Sequence, residues 1–503
     1  MKSVASAPDS TEPQTRSLWP ATSARILALV CVLLAGSWYE AAHCASLLNP
    51  DIWFHLHTGE WILQNHAVPH RALFTRHADL EWVDPSWGFD LIVGVGAKFF
   101  GLRAIPLLLM SFKTALAIVT FFLAQGWRGK FWVAIGLTVA VQYICLDFPP
   151  QPAMISALFL ALELCILLES RRSGVRVLRW LPVLFLCWAN LDVQFVNGLL
   201  VLGLYIAGCL VERVLRRFGL NGAGGDAPLS NLLLFTVLSA ATTLVSPYFY
   251  RPYLTLLRTS IGAVGITVLD SLHSMNFRQP QHYALLVLTM AAFFTLGRQH
   301  SRDWFKIIMI VVCAAYTFHW QQDMWFAALP AVAIIADRFN RKPTRFEEEY
   351  SRRPLRVERA VVAVLVILLF ALTAANIPSQ QVLLSKIEGT FPVKAADRIR
   401  QNHLPGPLYN TYAWGGFLIW YMPEYPVAID GRIEMYGRGI NDLFFETATA
   451  LRPLDDDPTY NDSRTFLLKR ESRLADRIMH LPGFRTIYSD ALAVVMEREA
   501  VDH

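Results

Sequence analysis

Apolar residues run along this chain in blocks of about 15–24 positions, separated by short polar breaks. The blocks fall near 24–43, 103–125, 131–147, 153–168, 177–190, 195–212, 230–246, 282–297, 304–319, 324–337 and 357–377. Runs of this length without charge predict membrane-crossing helices, eleven in all. A twelfth stretch, Ile261 to Leu269, is too short to cross and is expected to lie in the interface. Two long polar segments break the rhythm. Residues 44–102 follow the first block, and residues 378–503 follow the last.

Within the first polar segment, Ile52, Trp53, Leu56, Trp61 and Leu63 recur at helical spacing. They predict an amphipathic helix lying on the membrane surface and stopping before Pro69. A second such helix is expected over Trp87 to Phe100. The tail reads as a small α/β domain. Helices are expected over Val393–Asn402 and Arg470–His480, and strands over Leu408–Tyr412 and Val427–Ile429. A closing hairpin is expected from Arg485–Tyr488 and Ala493–Glu497.

Basic residues orient the spans. One set of alternate loops and span ends holds twenty Lys and Arg, and the opposite short loops hold only Arg251, Arg258 and Arg278. Positive charge stays on the cytoplasmic side. The expected topology has a cytoplasmic amino terminus, with the 44–102 loop and the 378–503 tail outside. An odd number of spans satisfies this. Residues 1–23, rich in Ser, Thr, Pro and Ala, read as a disordered cytoplasmic leader. The first apolar block reads as a retained span: the leader is long, and no clear small-residue cleavage site follows the apolar centre.

Composition narrows the function. Hydrophobic residues make up 54% of the 503, charged residues only 17%, and mean hydropathy is +0.36. An ordinary soluble domain is about 25% charged. The net charge of +5 is small and scattered, so no nucleic-acid partner is expected. Seven cysteines lie in or beside apolar blocks with no CxxC pair, and read as packing residues. No GxxxxGKS, HExxH or GxSxG motif supports ATP, zinc-protease or serine-esterase chemistry.

Acidic residues gather on the outer side. Asp51 follows the first span, and His55 is one helical turn on, so both share a face. That pair can take a proton from a hydroxyl or help hold a metal; equally, Asp51 can cap the surface helix. His55 and His57 point apart on a helix and make a poor metal pair. Glu81, Asp84 and Asp90 cluster in EWVDPSWGFD, and Asp147, Asp192, Asp270 and Asp323 lie near outer span ends. Arg251, in SPYFYRPY, is a cation suited to a phosphate, or an interfacial anchor. Tyr409, Tyr412, Trp414, Trp420 and Tyr421 can stack on sugars but fit core packing better.

The segment PDIWFHLHTGEWILQNHAVPHRALFT…EWVDPSWGFDLIVGVGAKFFG resembles the first outer loop of bacterial multi-pass GT-C-fold glycosyltransferases. Relatives of that group include the protein O-mannosyltransferases and lipid A aminoarabinose transferases. QPAMISALFLALEL, WANLDVQFVNG, TLVSPYFYRPY, PVKAADRIRQN, YNTYAWGGFLIW and AIDGR extend the resemblance from about residue 45 onward. It implies a polytopic α-helical membrane protein of the GT-C type, in the bacterial inner membrane, with a small extracytoplasmic α/β domain. It implies a polyprenyl-phosphate-linked sugar donor and a glycan, lipid or protein acceptor. Asp51 matches the acidic catalytic position, with His55 beside it. Asp84, Trp87, Asp192 and Arg251 are the candidate substrate-binding residues. The aminoarabinose transferases carry a Lys where this chain has Asp84-Pro85, which moves the phosphate role towards Arg251. A divalent metal ion is a possible cofactor. The competing readings are a lipid or polysaccharide flippase, and a non-catalytic assembly subunit of the envelope-glycan machinery. Few mid-span charges, mainly Lys113 and Glu163, and no internal repeat speak against the flippase.

Overall fold

The computed structural model describes residues 19–126, 130–219, 229–261, 274–339 and 354–499. Residues 1–18 of the leader, the Ile261–Leu269 stretch beyond its first residue, Asp270 and most of the basic run after Arg338 lie outside the described residues; residues 19–23, expected to be disordered, are helical.

Every one of the eleven apolar blocks lies on helix. The helices are α1 (Trp19–His43), α2 (Ile52–Asn65), α3 (Trp87–Phe100), α4 (Ala104–Gln125), α5 (Phe131–Ile144), α6 (Ala153–Ser173) and α7 (Leu181–Ala189). They continue as α8 (Phe195–Arg217), α9 (Leu229–Thr242), α10 (Arg251–Ile261), α11 (Pro280–Arg298), α12 (Trp304–His319) and α13 (Trp325–Phe339). A further helix, Pro354–Ala375, leads into the tail. Among the described residues five helical stretches are both long and apolar enough to cross a membrane: Ser23–His43, Trp87–Gln125, Ala153–Ser173, Phe195–Arg217 and Glu358–Ala375. The protein is thus polytopic. Three further apolar helices, Phe131–Ile144, Leu229–Thr242 and Trp304–His319, are shorter than a bilayer requires.

The bundle centres on α13, whose Trp325, Phe326 and run of alanines are buried against α4, α5, α6, α11 and α12. Small side chains there let helix backbones approach closely. The Pro354–Ala375 helix packs chiefly on α1 and exposes Val364, Ile367, Leu368 and Leu372.

The tail forms a four-stranded sheet in the order β1 (Leu408–Asn410), β2 (Thr465–Lys469), β4 (Ala493–Arg498), β3 (Phe484–Ser489). β1 and β2 are parallel; the other pairs are antiparallel. The expected closing hairpin is present, and the helices form over Val393–Gln401 and Arg473–Met479. Two expectations need correction. Val427–Ile429 is not a strand of this sheet: Val427 pairs with Thr75 of the outer loop instead. β2, within SRTFLLKR, was not foreseen, because a five-residue run buried on both faces lacks strand alternation.

The outer loop is also corrected. α2 and α3 form where expected, but the apolar face of α2 lies on protein. Trp53 is fully buried against Phe391, Phe417 and Trp420 of the tail. An amphipathic pattern specifies an apolar partner without saying whether that partner is lipid or protein. Of the aromatic run, Tyr409 and Trp414 are core residues; Tyr409 stacks on Phe444 and Phe466.

Candidate functional site

Asp51 stands at the start of α2 but does not cap it. Asn49 Oδ1 accepts the backbone N–H groups of Asp51 and Ile52, at 3.0 and 3.2 Å. The Asp51 carboxylate is left for other work. Its Oδ2 accepts a hydrogen bond from Gln151 Nε2 at 2.8 Å, and Gln151 sits just before α6 in the QPAM segment. Burial pushes the Asp51 carboxyl above its ordinary range, and nearby Asp430 adds to this, while His55 and Gln151 pull the other way.

α2 and α3 cross at two glycines. A Cβ on Gly59 would lie 2.0 Å from Asp90 O, and one on Gly94 would lie 2.5 Å from the Gly59 carbonyl carbon. Only glycine permits that approach. The crossing brings His55, one turn before Gly59, onto Asp90, one turn before Gly94. His55 Nδ1 and Asp90 Oδ1 are 2.6 Å apart, and both residues are buried. Burial lowers His55 to about 4 despite the carboxylates of Asp84, Asp51 and Glu434 around it, so the ring is neutral at neutral pH. Asp84 is buried beside Asp90; burial first, then that second acid, push its carboxyl well above the usual range.

The tail closes over this cluster through the AIDGR segment. Arg432 is 1% exposed. It donates from Nε to Asp430 Oδ1 at 2.8 Å, and from Nη2 to Asp430 Oδ2 at 2.7 Å and to the Leu73 carbonyl at 2.9 Å. Its guanidinium lies over the Trp82 ring, 4.5 Å from the centroid. Burial alone would raise Asp430, but Arg432 outweighs it and holds the carboxyl below its ordinary range. Val427, Thr75 and Phe74 exchange further hydrogen bonds between tail and outer loop. Glu434 follows on the same segment. It is open to solvent yet deep within the surrounding protein, and desolvation first, then Asp430 and Asp84, raise its carboxyl to about 7.

The other sequence candidates lie at differing removes. Asp84 belongs to the cluster around His55. Trp87 donates from Nε1 to Asn190 Oδ1 at 3.1 Å, tying the start of α3 to the WANLD loop. Asp192, two residues further, is buried and accepts from Ser156, which in turn accepts from Trp188 Nε1 at 2.7 Å. Burial raises Asp192 to about 7. Its acidic neighbour is Asp323 rather than Asp51. Arg251 is not brought to Asp51. It is exposed, pairs with Glu81, and lines a recess of about 620 Å³ with His70, Arg71, Asp79 and Tyr248.

His57 pairs with Glu60 and packs on Phe74, away from His55. No three His, Cys, Asp or Glu among the described residues are placed to hold one metal ion.

Sequence reasoning missed Gln151, Asp430, Arg432 and Glu434 as site residues. Gln151, Asp430 and Arg432 fall inside segments already noted, QPAM and AIDGR, and Glu434 lies two residues beyond, but nothing local shows that residue 430 meets residue 51.

No family model matches the chain, and no curated protein matches it. Solved structures do. The oligosaccharyltransferase of Archaeoglobus fulgidus, tethered to an acceptor peptide containing the NVT sequon, aligns with a TM-score of 0.52 and 12% identity over 91% of this chain and 70% of that one. ArnT from Cupriavidus metallidurans in the apo state aligns with a TM-score of 0.50 and 16% identity over 95% and 98%. The fold is GT-C-like. At such identities the likeness concerns the fold alone.

Proposed function

We propose that this protein is a glycosyltransferase of the bacterial inner membrane that moves a sugar from a polyprenyl-phosphate donor to an acceptor hydroxyl outside the cytoplasm. The observation that carries the reading is Asp51. It is a carboxylate freed from capping, held by one amide, raised in proton affinity and roofed by the tail.

In the proposed step the acceptor oxygen forms a bond to the anomeric carbon. The bond from that carbon to the phosphate oxygen breaks, and the phosphate departs with the electron pair. The acceptor proton passes to Asp51, whose raised affinity suits a general base. Neutral His55, fixed by Asp90, stands alongside. Gln151 orients the carboxylate.

The test is sugar transfer by membranes holding matched amounts of wild type, Asp51→Asn and Asp51→Ala. Both variants should lose about 100-fold or more in rate while inserting normally. Full activity of the Asn variant removes Asp51 from the reaction.

A further inference from the structure

Two cavities meet at Lys113, the charged residue in the middle of α4. One is a groove of about 270 Å³ between α1, α4 and α5, apolar except for Tyr39, Lys113, Gln142 and Tyr143. The other is a mouth of about 320 Å³ bearing Glu40, Ser46, Asn49 and Asp147. They share Tyr39, Leu109, Lys113, Leu146 and Phe148, so the mouth continues the groove. Each is near the lower end of ligand-pocket volumes, about 300–1,000 Å³, and a ligand spanning both lies within the range. A charged group at such depth in a membrane helix calls for a functional account.

The groove has a lipid-facing side. Val139 and Tyr143 of α5 line it and are exposed at 46% and 42%. The mouth is built differently. Glu40 is buried; its Oε1 is taken by Ser46, and its Oε2 has no partner. Lys113 Nζ donates to the Leu146 carbonyl at 2.9 Å and lies 5.4 Å from the Tyr39 ring centroid. Two acids, Glu40 and Asp147, flank that single cation, so the mouth disfavours a phosphate. Carboxylates do accept hydroxyl protons. The mouth is lined by the chain neighbours of the proposed base and its partner: Asn49 and Pro50 directly precede Asp51, and Pro150 directly precedes Gln151, which holds Asp51.

We infer that the acceptor is a membrane lipid with an uncharged, hydroxylated head, its chain in the groove of α1, α4 and α5 and its head in the Glu40–Asp147 mouth beside Asp51. This names the acceptor class within the function proposed above and rests on that reading.

The probe is dodecyl glucoside carrying a photoreactive diazirine in its alkyl chain, added to the full chain in phosphatidylcholine nanodiscs. Labelling should map to α1, α4 and α5 around the groove. Excess dodecyl glucoside should suppress it; methyl glucoside and dodecyl phosphate should not. Glu40→Gln, which keeps the shape of the mouth, should cut labelling about tenfold, the scale of one lost charge-assisted contact, and Val139→Trp, which fills the groove from its exposed side, should cut it at least as far by excluding the chain. Asp51→Asn should leave labelling intact, so loss of transfer with labelling retained bears on the reaction and not on the lipid site. Labelling spread over the lipid-facing surface and indifferent to both groove variants overturns the inference. Competition by dodecyl phosphate equal to that by dodecyl glucoside overturns the uncharged head.

Discussion

Gly431 lies against Asp51: a Cβ built on Gly431 would stand 2.1 Å from Asp51 Oδ1. The tail therefore reaches the proposed base with bare backbone. Gly431→Ala needs no change of backbone conformation, since this glycine is not among those at positive φ. It does need the carboxylate to move. A shift of about 1 Å at a reacting group costs about 100-fold. Transfer by Gly431→Ala should fall by that order with the protein folded and inserted, measured as turnover at matched membrane levels. Turnover within twofold of wild type shows that Asp51 can act from a displaced position.

His55 gives a pH signature. Its folded value of about 4 lies below the ordinary 6.5, so the unfolded chain binds the extra proton first as pH falls. The stability associated with neutral His55 is present above pH 6.5 and is lost as pH drops through 4. Glu434, raised to about 7 from 4.5, has the opposite sign: its contribution is present below pH 4.5 and lost as pH rises through 7. The two overlap, so the variant separates them. His55→Gln can still donate to Asp90. Thermal melts of wild type and His55→Gln between pH 7 and 4 should converge as pH falls. Parallel curves across that window assign the acid loss to other groups.

Arg432 and Asp430 form an ion pair that is 1% and 0% exposed. Removing one partner of such a pair strands a buried charge and costs about 3–5 kcal/mol. Arg432→Met should destabilise the tail against the outer loop. Limited proteolysis should then cut between the Pro354–Ala375 helix and β1 in the variant but not in wild type. Arg432→Lys should give an intermediate rate, because an ammonium cannot reproduce the two-pronged contact. Equal resistance of all three means other contacts hold the tail.

Orientation is open to a direct check. A reporter active only in the cytoplasm, fused after His503, should give no signal, whereas the same reporter fused after Arg217 should be active. A strong signal from the His503 fusion places the tail on the cytoplasmic side and moves Asp51 there with it.

The helices were legible in the sequence because span length and apolarity are local properties. So were α2, α3 and the closing hairpin, whose periodicities are complete within a dozen residues. What could not be read was partnership. The face of Trp53 and Leu56 announced an apolar neighbour, and that neighbour proved to be Trp420 and Phe417, more than 350 residues on. Val427 to Ile429 has strand composition and spends it on a bridge to Thr75. Asp51 and His55 could be singled out by position and chemistry. Gln151, Asp430 and Arg432 join them only through tertiary packing, and an Asp-Gly pair reads locally as a turn. The Asn49 cap was the nearer miss, since an Asn two residues before Asp51 competes for the same backbone donors.

The closure of the site by the AIDGR segment also sets a clock. Arg432 lies 381 residues after Asp51 in the chain. At about 5–20 residues per second, a ribosome delivers it about 20–80 s later. Through that interval Trp53 and Asp51 wait without their cover. On the proposed function, a half-built chain carries Asp51 but not the wall that positions it, so a nascent or prematurely terminated chain should transfer no sugar until its last quarter arrives.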